Sequence, residues 1–262
     1  MRAIWTGAIG FGLVNIPVKI YSATEDSSLN LDMLDKKDHE HIRFRRVNEK
    51  TGKEVKWDNI VKAYDYEGNY VVLDAEDFEK ASPEKNKILS IDQFVQETEI
   101  DSIFYETPYF LEPQKSGVKA YQLLLQALVE TGKVAVGTFV LRNKELLGCI
   151  RPYQGKMLLL QKIRFAEEVR DFDTLNLPAK QTIKPGELKM AVSLIEQLAA
   201  AFDPGQYKDT YTEALMKVIK AKAGGKRIRS TAAKVTPTRT IDLMAKLKAS
   251  LAPAKPKRRK AS

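Results

Sequence analysis

Apolar residues in positions 1–165 recur mostly at intervals of two, in short runs separated by turn-forming residues. Such alternation predicts strands with one buried face. The stretch WTGAIGFGLVNIPVKIYSA (residues 5–23) reads as two strands broken near Gly7, Gly10 and Gly12. In HIRFRRV (41–47), Ile42 and Phe44 alternate with Arg43 and Arg45, so a strand there sets these two arginines opposite the apolar pair. NEKTGKEV is expected to turn at Thr51-Gly52, and YDYEGNYVVL to form a hairpin with Gly68-Asn69 at its tip. KILSIDQFVQ, SIFYETPYFLEP, KVAVGTFVLR, ELLGCIRPY and KMLLLQKIRF complete the strand candidates. So many short, turn-punctuated strands favour a closed or nearly closed β-structure.

Helical spacing enters at about Ser116 to Thr131, where Val118, Tyr121, Leu124, Leu125, Leu128 and Val129 share a stripe and Gly132 is a plausible stop. After residue 185 it dominates. GELKMAVSLIEQLAAAF sets Leu188, Ala191, Leu194, Ile195, Leu198 and Phe202 on one stripe ended by DPG. A second helix is expected from about Asp209, with Thr210 and Glu213 at capping-box spacing, to Gly224-Gly225. GGKRIRSTAAKVTPT then reads as a linker, too polar and basic to pack. TIDLMAKLKASLA places Ile241, Met244, Leu247 and Leu251 on one face. A helix of about a dozen residues is marginal alone, so it either folds on its own core or docks on a partner.

Composition adds bounds. The 262 residues, 44% hydrophobic, suffice for one large domain, or one domain with appendages, around a real core. The single cysteine, Cys149, excludes an intramolecular disulfide, and MRAIWTG lacks the features of a signal peptide. No stretch approaches the ~18 apolar residues of a membrane span. A soluble protein of a reducing compartment is expected.

Charge changes the picture more. From Lys217 to Ser262 fifteen Lys and Arg face one acid, Asp242, so this stretch carries +14 and the first 216 residues carry −5. All of the net +9 therefore resides at the C-terminal end. Such asymmetry reads as an appendage for nucleic acid or another polyanion, against the plainer reading of a solvated extension.

Enzyme chemistry finds little support. The glycines at 7, 10 and 12 run G-x-x-G-x-G with more strand after them, unlike the dinucleotide fingerprint. TGKEV, TGKVAV and GGKRIR all lack the Ser or Thr that follows the P-loop lysine. His39 and His41 flank Glu40 and would share a strand face, but no third histidine exists, so an exposed polar turn is the simpler reading than a metal site. Glu54-Val55-Lys56 with Asp38 lacks the residue arrangement of a metal-dependent nuclease. Cys149 lies in an apolar strand and reads as a buried small hydrophobe. What recurs is basic residues: Lys36, Lys37, Arg43, Arg45, Arg46, Lys53, Lys56, then Lys133, Arg142 and Lys144. Phosphate contact needs many such charges and no unique geometry, and each taken singly also suits a solvated strand face.

WTGAIGFGLVNIPVKIYSATE, LDAEDFE, IDQFV followed by EIDSIFYETPYFLEP, AYQLLLQAL, IRFAEEVRD and FDPGQYKDTYTEALMKVIKAK together resemble, in this order across residues 1–223, the bacterial Ku protein family. The resemblance implies an α+β, mainly β fold: a Ku-core β-barrel with an inserted helix, then a helical dimerisation arm and a flexible basic C-terminal tail. It places the barrel core and a DNA-encircling bridge in residues 1–185, the arm in 186–225, and the tail in 226–262 with a short amphipathic helix near 240–251. It implies a ring-shaped homodimer that threads onto double-stranded DNA ends without reading sequence. The C-terminal region would recruit a multifunctional ATP-dependent DNA ligase in non-homologous end joining. No catalysis, cofactor or metal is implied, and the setting is the bacterial cytoplasm, at the nucleoid.

By position in the family pattern, Lys36, Lys37, Arg43, Arg45, Arg46, Lys53 and Lys56 fall in or near the bridge, and Arg142 and Lys144 on a later lumen-facing segment. Lys226, Arg227, Arg229, Lys255, Lys257, Arg258, Arg259 and Lys260 add the tail's DNA contacts. Some relatives carry a C-x-x-C pair where this chain has Asn48 and Thr51, so no structural zinc is expected there. The competing reading is a nonspecific architectural DNA-binding protein acting mainly through its basic tail; an enzyme acting on DNA is a third.

Overall fold

The N-terminal strands Trp5–Phe11 (β1) and Val14–Ser22 (β2) form an antiparallel hairpin that turns through Gly12, whose φ of 55° suits a residue without a Cβ. The structure is a computed structural model that describes residues 1–81 and 87–225. After β2 the chain leaves on a long excursion holding the hairpin Lys62–Tyr66 (β3) and Asn69–Leu73 (β4) and a short helix, Ala75–Ala81 (α1). It returns as Ile88–Gln96 (β5), followed by Tyr105–Pro113 (β6), the helix Val118–Thr131 (α2), Lys133–Leu141 (β7), Lys144–Tyr153 (β8) and Met157–Ile163 (β9). The chain divides into two units after Phe172, and the second contains Pro185–Leu198 (α3) and Thr210–Ala223 (α4).

Seven strands close a barrel in the order β1-β2-β6-β9-β8-β7-β5. Every neighbouring pair is antiparallel except the closing one, where β5 runs parallel to β1. The closure is tight. Ala8 N donates to the Lys87 carbonyl at 2.8 Å, and a Cβ on Gly7 would stand 2.2 Å from that same oxygen. Gly10 faces the same strand, with Ile88 Cγ2 at 2.9 Å from where its Cβ would be. The opening glycines thus serve backbone packing and a turn, with no phosphate loop.

The alternation read from sequence is what fills the barrel. Ile9, Ile16, Val18, Ile20, Leu89, Leu111, Ile150, Leu158 and Leu160 are all fully buried in one cluster, and Tyr121, Leu124 and Leu128 of α2 pack into it. Tyr121 does more than fill space. Its hydroxyl donates to the Leu111 carbonyl and accepts from Leu158 N, both at 2.7 Å, and those two residues are register partners on β6 and β9. One phenol therefore ties the helix to two strands inside the core.

Several local expectations needed correction. HIRFRRV forms no strand: only the isolated bridges Leu34↔His41 and Val47↔Glu54 flank residues 42–46. Alternation sets up a strand, but a ladder needs partners and a face to bury, and none of residues 24–81 is buried. The β3–β4 turn is centred on Glu67-Gly68, whose positive φ values of 52° and 83° are those of a type I′ hairpin, and Asn69 already belongs to β4. Helix α3 ends at Leu198, before Phe202, which instead stacks on Tyr207 at 5.7 Å. Asp209, rather than Thr210, caps α4 by accepting from Tyr211 N and Thr212 N. Helix α1 went unread; Asp74 and Asp77 accept from each other's backbone N–H and open it. The expected linker and the amphipathic helix near 240–251 lie outside the described residues.

Replacing Tyr121 with Phe strands a buried carbonyl and a buried amide, and is expected to lower unfolding stability by about 2 kcal/mol. Urea denaturation with an unchanged far-ultraviolet spectrum would check this; an unchanged midpoint would show that the bridge carries no weight.

Candidate nucleic-acid interface

Strand direction alternates around the antiparallel part of the barrel, so the end where β2 finishes is also where β5 begins and where β7 turns into β8. Both roots of the excursion thus share one barrel end with the β7–β8 turn. At that turn Arg142 and Asn143 both adopt positive φ, 54° and 64°, as a type I′ hairpin requires, and Lys144 opens β8. Arginine adopts this region at some cost. Topology therefore sets Arg142 and Lys144 at the barrel end from which the cation-bearing excursion leaves and to which it returns.

Within the excursion the candidates sit on two tight turns. Lys36 and Lys37 lie in the turn at 36–38, where the Asp35 carboxylate accepts from Lys37 N at 2.8 Å and the Asp35 carbonyl from His39 N at 2.9 Å. Arg43, Arg45 and Arg46 lie on the rising limb of a second hairpin, held by Val55 N donating to the Arg46 carbonyl and Asn48 N to the Lys53 carbonyl, both at 2.8 Å. Its turn is closed by Asn48 Oδ1, which accepts from Thr51 N at 3.0 Å and Thr51 Oγ1 at 3.1 Å. Asn48 and Thr51 are thus joined by direct hydrogen bonds. Lys56 precedes a single 3₁₀ turn, Trp57–Asn59.

Pairing separates these cations into classes. Arg45 meets Glu54 at 3.1 Å, an exposed pair of little energetic weight, and the Arg46 guanidinium lies 4.4 Å from the Trp57 ring centre. Lys36, Lys37, Arg43, Lys53, Lys56, Arg142 and Lys144 have no carboxylate partner among the described residues. Three cations on or beside the barrel strands are instead paired. Arg151 pairs with Glu97 at 2.9 Å, and Glu106 takes both Lys162 and Arg164, the latter at 3.5 Å. Arg164 also donates to the carbonyls of Ile103 and Tyr105. These wall cations were not singled out from sequence. The i,i+2 spacing of Lys162 and Arg164 shows that they share a strand face, but their common partner lies on another strand far along the chain. The tail candidates Lys226, Arg227, Arg229, Lys255, Lys257, Arg258, Arg259 and Lys260 lie outside the described residues.

Cys149 is fully buried on β8 beside Ile163 and Val134. Burial first, and then the Glu97 carboxylate, push its thiol up from the ordinary 9.0 to about 12, with the Arg151 guanidinium opposing. His39 and His41 are exposed on the first turn, and no group of three or more His, Cys, Asp or Glu is placed to hold a metal among the described residues. Among the same residues no helix is long and apolar enough to cross a membrane.

Comparison with known proteins gives this geometry a lineage. The family model described as "Ku70/Ku80 beta-barrel domain" matches residues 10–190, which run from the end of β1 through the excursion and the other barrel strands to the start of α3. The chain belongs to the Ku family. It is 37% identical over 258 residues to the "Non-homologous end joining protein Ku" of Coxiella burnetii, covering 95% of this chain and 94% of that protein. A protein of the same name from Opitutus terrae is 40% identical over 255 residues (96% and 91% covered). Another, from Bacillus subtilis, is 38% identical over 255 residues (96% and 82%). The Ku barrel is accordingly the shared scaffold, while α4 lies beyond the family match.

A thiol with its proton held to about pH 12 contributes stability that is complete below pH 9 and is lost as the pH rises through 12, because only the unfolded chain ionises in that window. At pH 8 the folded protein should therefore leave an aromatic disulfide reagent unreacted and titrate one thiol per chain after unfolding. Rapid reaction of the folded protein would contradict the buried placement.

Proposed function

We propose that the chain binds the ends of double-stranded DNA, without reading base sequence, as a ring-shaped homodimer acting in non-homologous end joining. The observation that carries this reading is the excursion. A stretch of 58 residues, 24–81, contains no buried residue, yet both its ends are rooted on one rim of a closed barrel. Long loops without a core of their own are usually functional. This one presents unpaired cations on turns, a form suited to phosphates, which lie along any duplex whatever its sequence. The printed name of the relatives supports the repair pathway.

The homodimer is supported by apolar surface. Neither α3 nor α4 has a buried residue, and Leu188, Val192, Ile195 and Leu198 of α3 are exposed. Such a stripe calls for a cover, and a second copy of the same helices supplies one by symmetry. In this reading residues 1–185 are the DNA-encircling core, 186–225 the dimerisation arm and 226–262 the basic extension through which an ATP-dependent DNA ligase is recruited. The protein performs no chemistry of its own and works at the nucleoid of the bacterial cytoplasm. Its DNA contacts are the excursion cations, Arg142, Lys144 and the basic tail residues.

A threaded ring needs a free end. The protein, with or without residues 226–262, is expected to shift linear duplex DNA in a gel and to leave covalently closed circles of the same sequence free. Equal binding of both forms by the shortened chain would sink the ring, and binding lost altogether with the tail would favour the architectural reading. If about six tail charges meet phosphates, log affinity should fall with log salt by a slope of roughly −5 in excess of the shortened chain.

Reversing Arg43, Arg45 and Arg46 to Glu should weaken end binding at least ~10-fold and flatten the salt slope by about 3, with the melting temperature unchanged. Light scattering should report a dimer for residues 1–225 at micromolar concentration; a monomer would count against the arm.

A further inference from the structure

The hairpin at 42–57 carries aromatic surface as well as charge. Phe44 is 80% exposed and Trp57 65% exposed. The bridge Val47↔Glu54 and the hydrogen bond from Val55 N to the Arg46 carbonyl hold the two limbs together as far as Arg46. Arg45 is held by Glu54 of the opposite limb, and Phe44 lies two residues before Arg46. The Arg46 guanidinium sits over the Trp57 ring, 4.4 Å from its centre. Because the indole stays mostly exposed, the cation covers only part of it.

The surroundings are strongly basic. Residues 42–57 hold six Lys and Arg against Glu49 and Glu54, within a body of 216 residues whose net charge is −5. Exposed aromatic faces beside a guanidinium plane and uncompensated cations are the surface on which unpaired nucleobases stack while their phosphates are neutralised. Paired bases already stack on each other inside a duplex and present only their edges and backbone, so this surface has no use for them. The core of a protein–protein contact is depleted of charge, which disfavours a second protein here.

We propose that Phe44, Arg46 and Trp57 form a stacking platform for the unpaired bases of a single-stranded DNA overhang. This rests on the DNA-end reading above and adds to it a preference for the kind of end. Blunt ends engage the cations alone; ends with a single-stranded extension engage the platform as well.

The test uses the full chain, a blunt duplex, the same duplex with a short thymidine overhang, and a free thymidine oligonucleotide. The wild type is expected to bind the overhang duplex more tightly than the blunt one, and the oligonucleotide to quench Trp57 fluorescence, identified as the signal lost in Trp57→Phe. Phe44→Ala/Trp57→Ala is expected to lose roughly 5- to 100-fold on the overhang duplex, with blunt-end affinity and melting temperature retained. Trp57→Phe, which keeps a ring, should preserve the overhang preference.

Equal weakening on both duplexes, or no quenching by the oligonucleotide, would overturn the platform. So would a drop in assembly size for the double variant by light scattering, which would make these rings a contact between protein copies. Quenching by the oligonucleotide together with failure on blunt ends would uphold the platform while removing the ring reading.

Discussion

The parallel contact between β1 and β5 is the constraint on which the rest of the molecule depends. Every other strand pair in the barrel is antiparallel, and without this one the sheet would have two open edges and a core exposed between them. Closure requires backbones to approach closely at Gly7, where a side chain would occupy the space of the Lys87 carbonyl. It also requires the chain to travel from Ser22 to Ile88 and return beside its own first strand. The entropy cost of that loop rises only logarithmically with its length, so a long excursion weighs little more than a short one. Barrel closure is thus what pins both roots of the excursion at one end of the scaffold.

The same architecture divides the cations by environment. On the barrel wall Arg151 is taken up by Glu97, between β5 and β6, and Lys162 and Arg164 by Glu106 on β6. The excursion and the β7–β8 turn keep theirs largely free. A cation already matched by a carboxylate within the fold has little left to offer a phosphate, whereas an unmatched one on a solvated turn loses no internal partner on binding. This division suits a body that is acidic overall but has to approach a polyanion.

The barrel and the helices differ in how much of themselves they bury. Helix α2 sinks Tyr121, Leu124 and Leu128 into the core, and the Tyr121 hydroxyl satisfies two backbone groups that no water could reach. Helices α3 and α4 bury nothing fully, although α3 carries an equally regular apolar stripe. The same periodic signal therefore accompanies two outcomes, one completed within the chain and one left exposed.

Sequence alone marked the barrel strands by their alternation, and it determined α2 with its stop at Gly132 and the turn at Thr51-Gly52, which rest on interactions between near neighbours. Family membership was legible too, because it is carried by strings of residues. HIRFRRV shows where this ends: Ile42 and Phe44 alternate as a strand would, but nothing lies beneath them to bury, a fact about the third dimension. The candidate cations were visible as charge, yet which were free and which were spent depended on carboxylates far away along the chain, as Glu106 is from Lys162. That Arg142 joins the excursion at one barrel end followed only from strand order and direction, which arise from long-range pairing that no local pattern encodes.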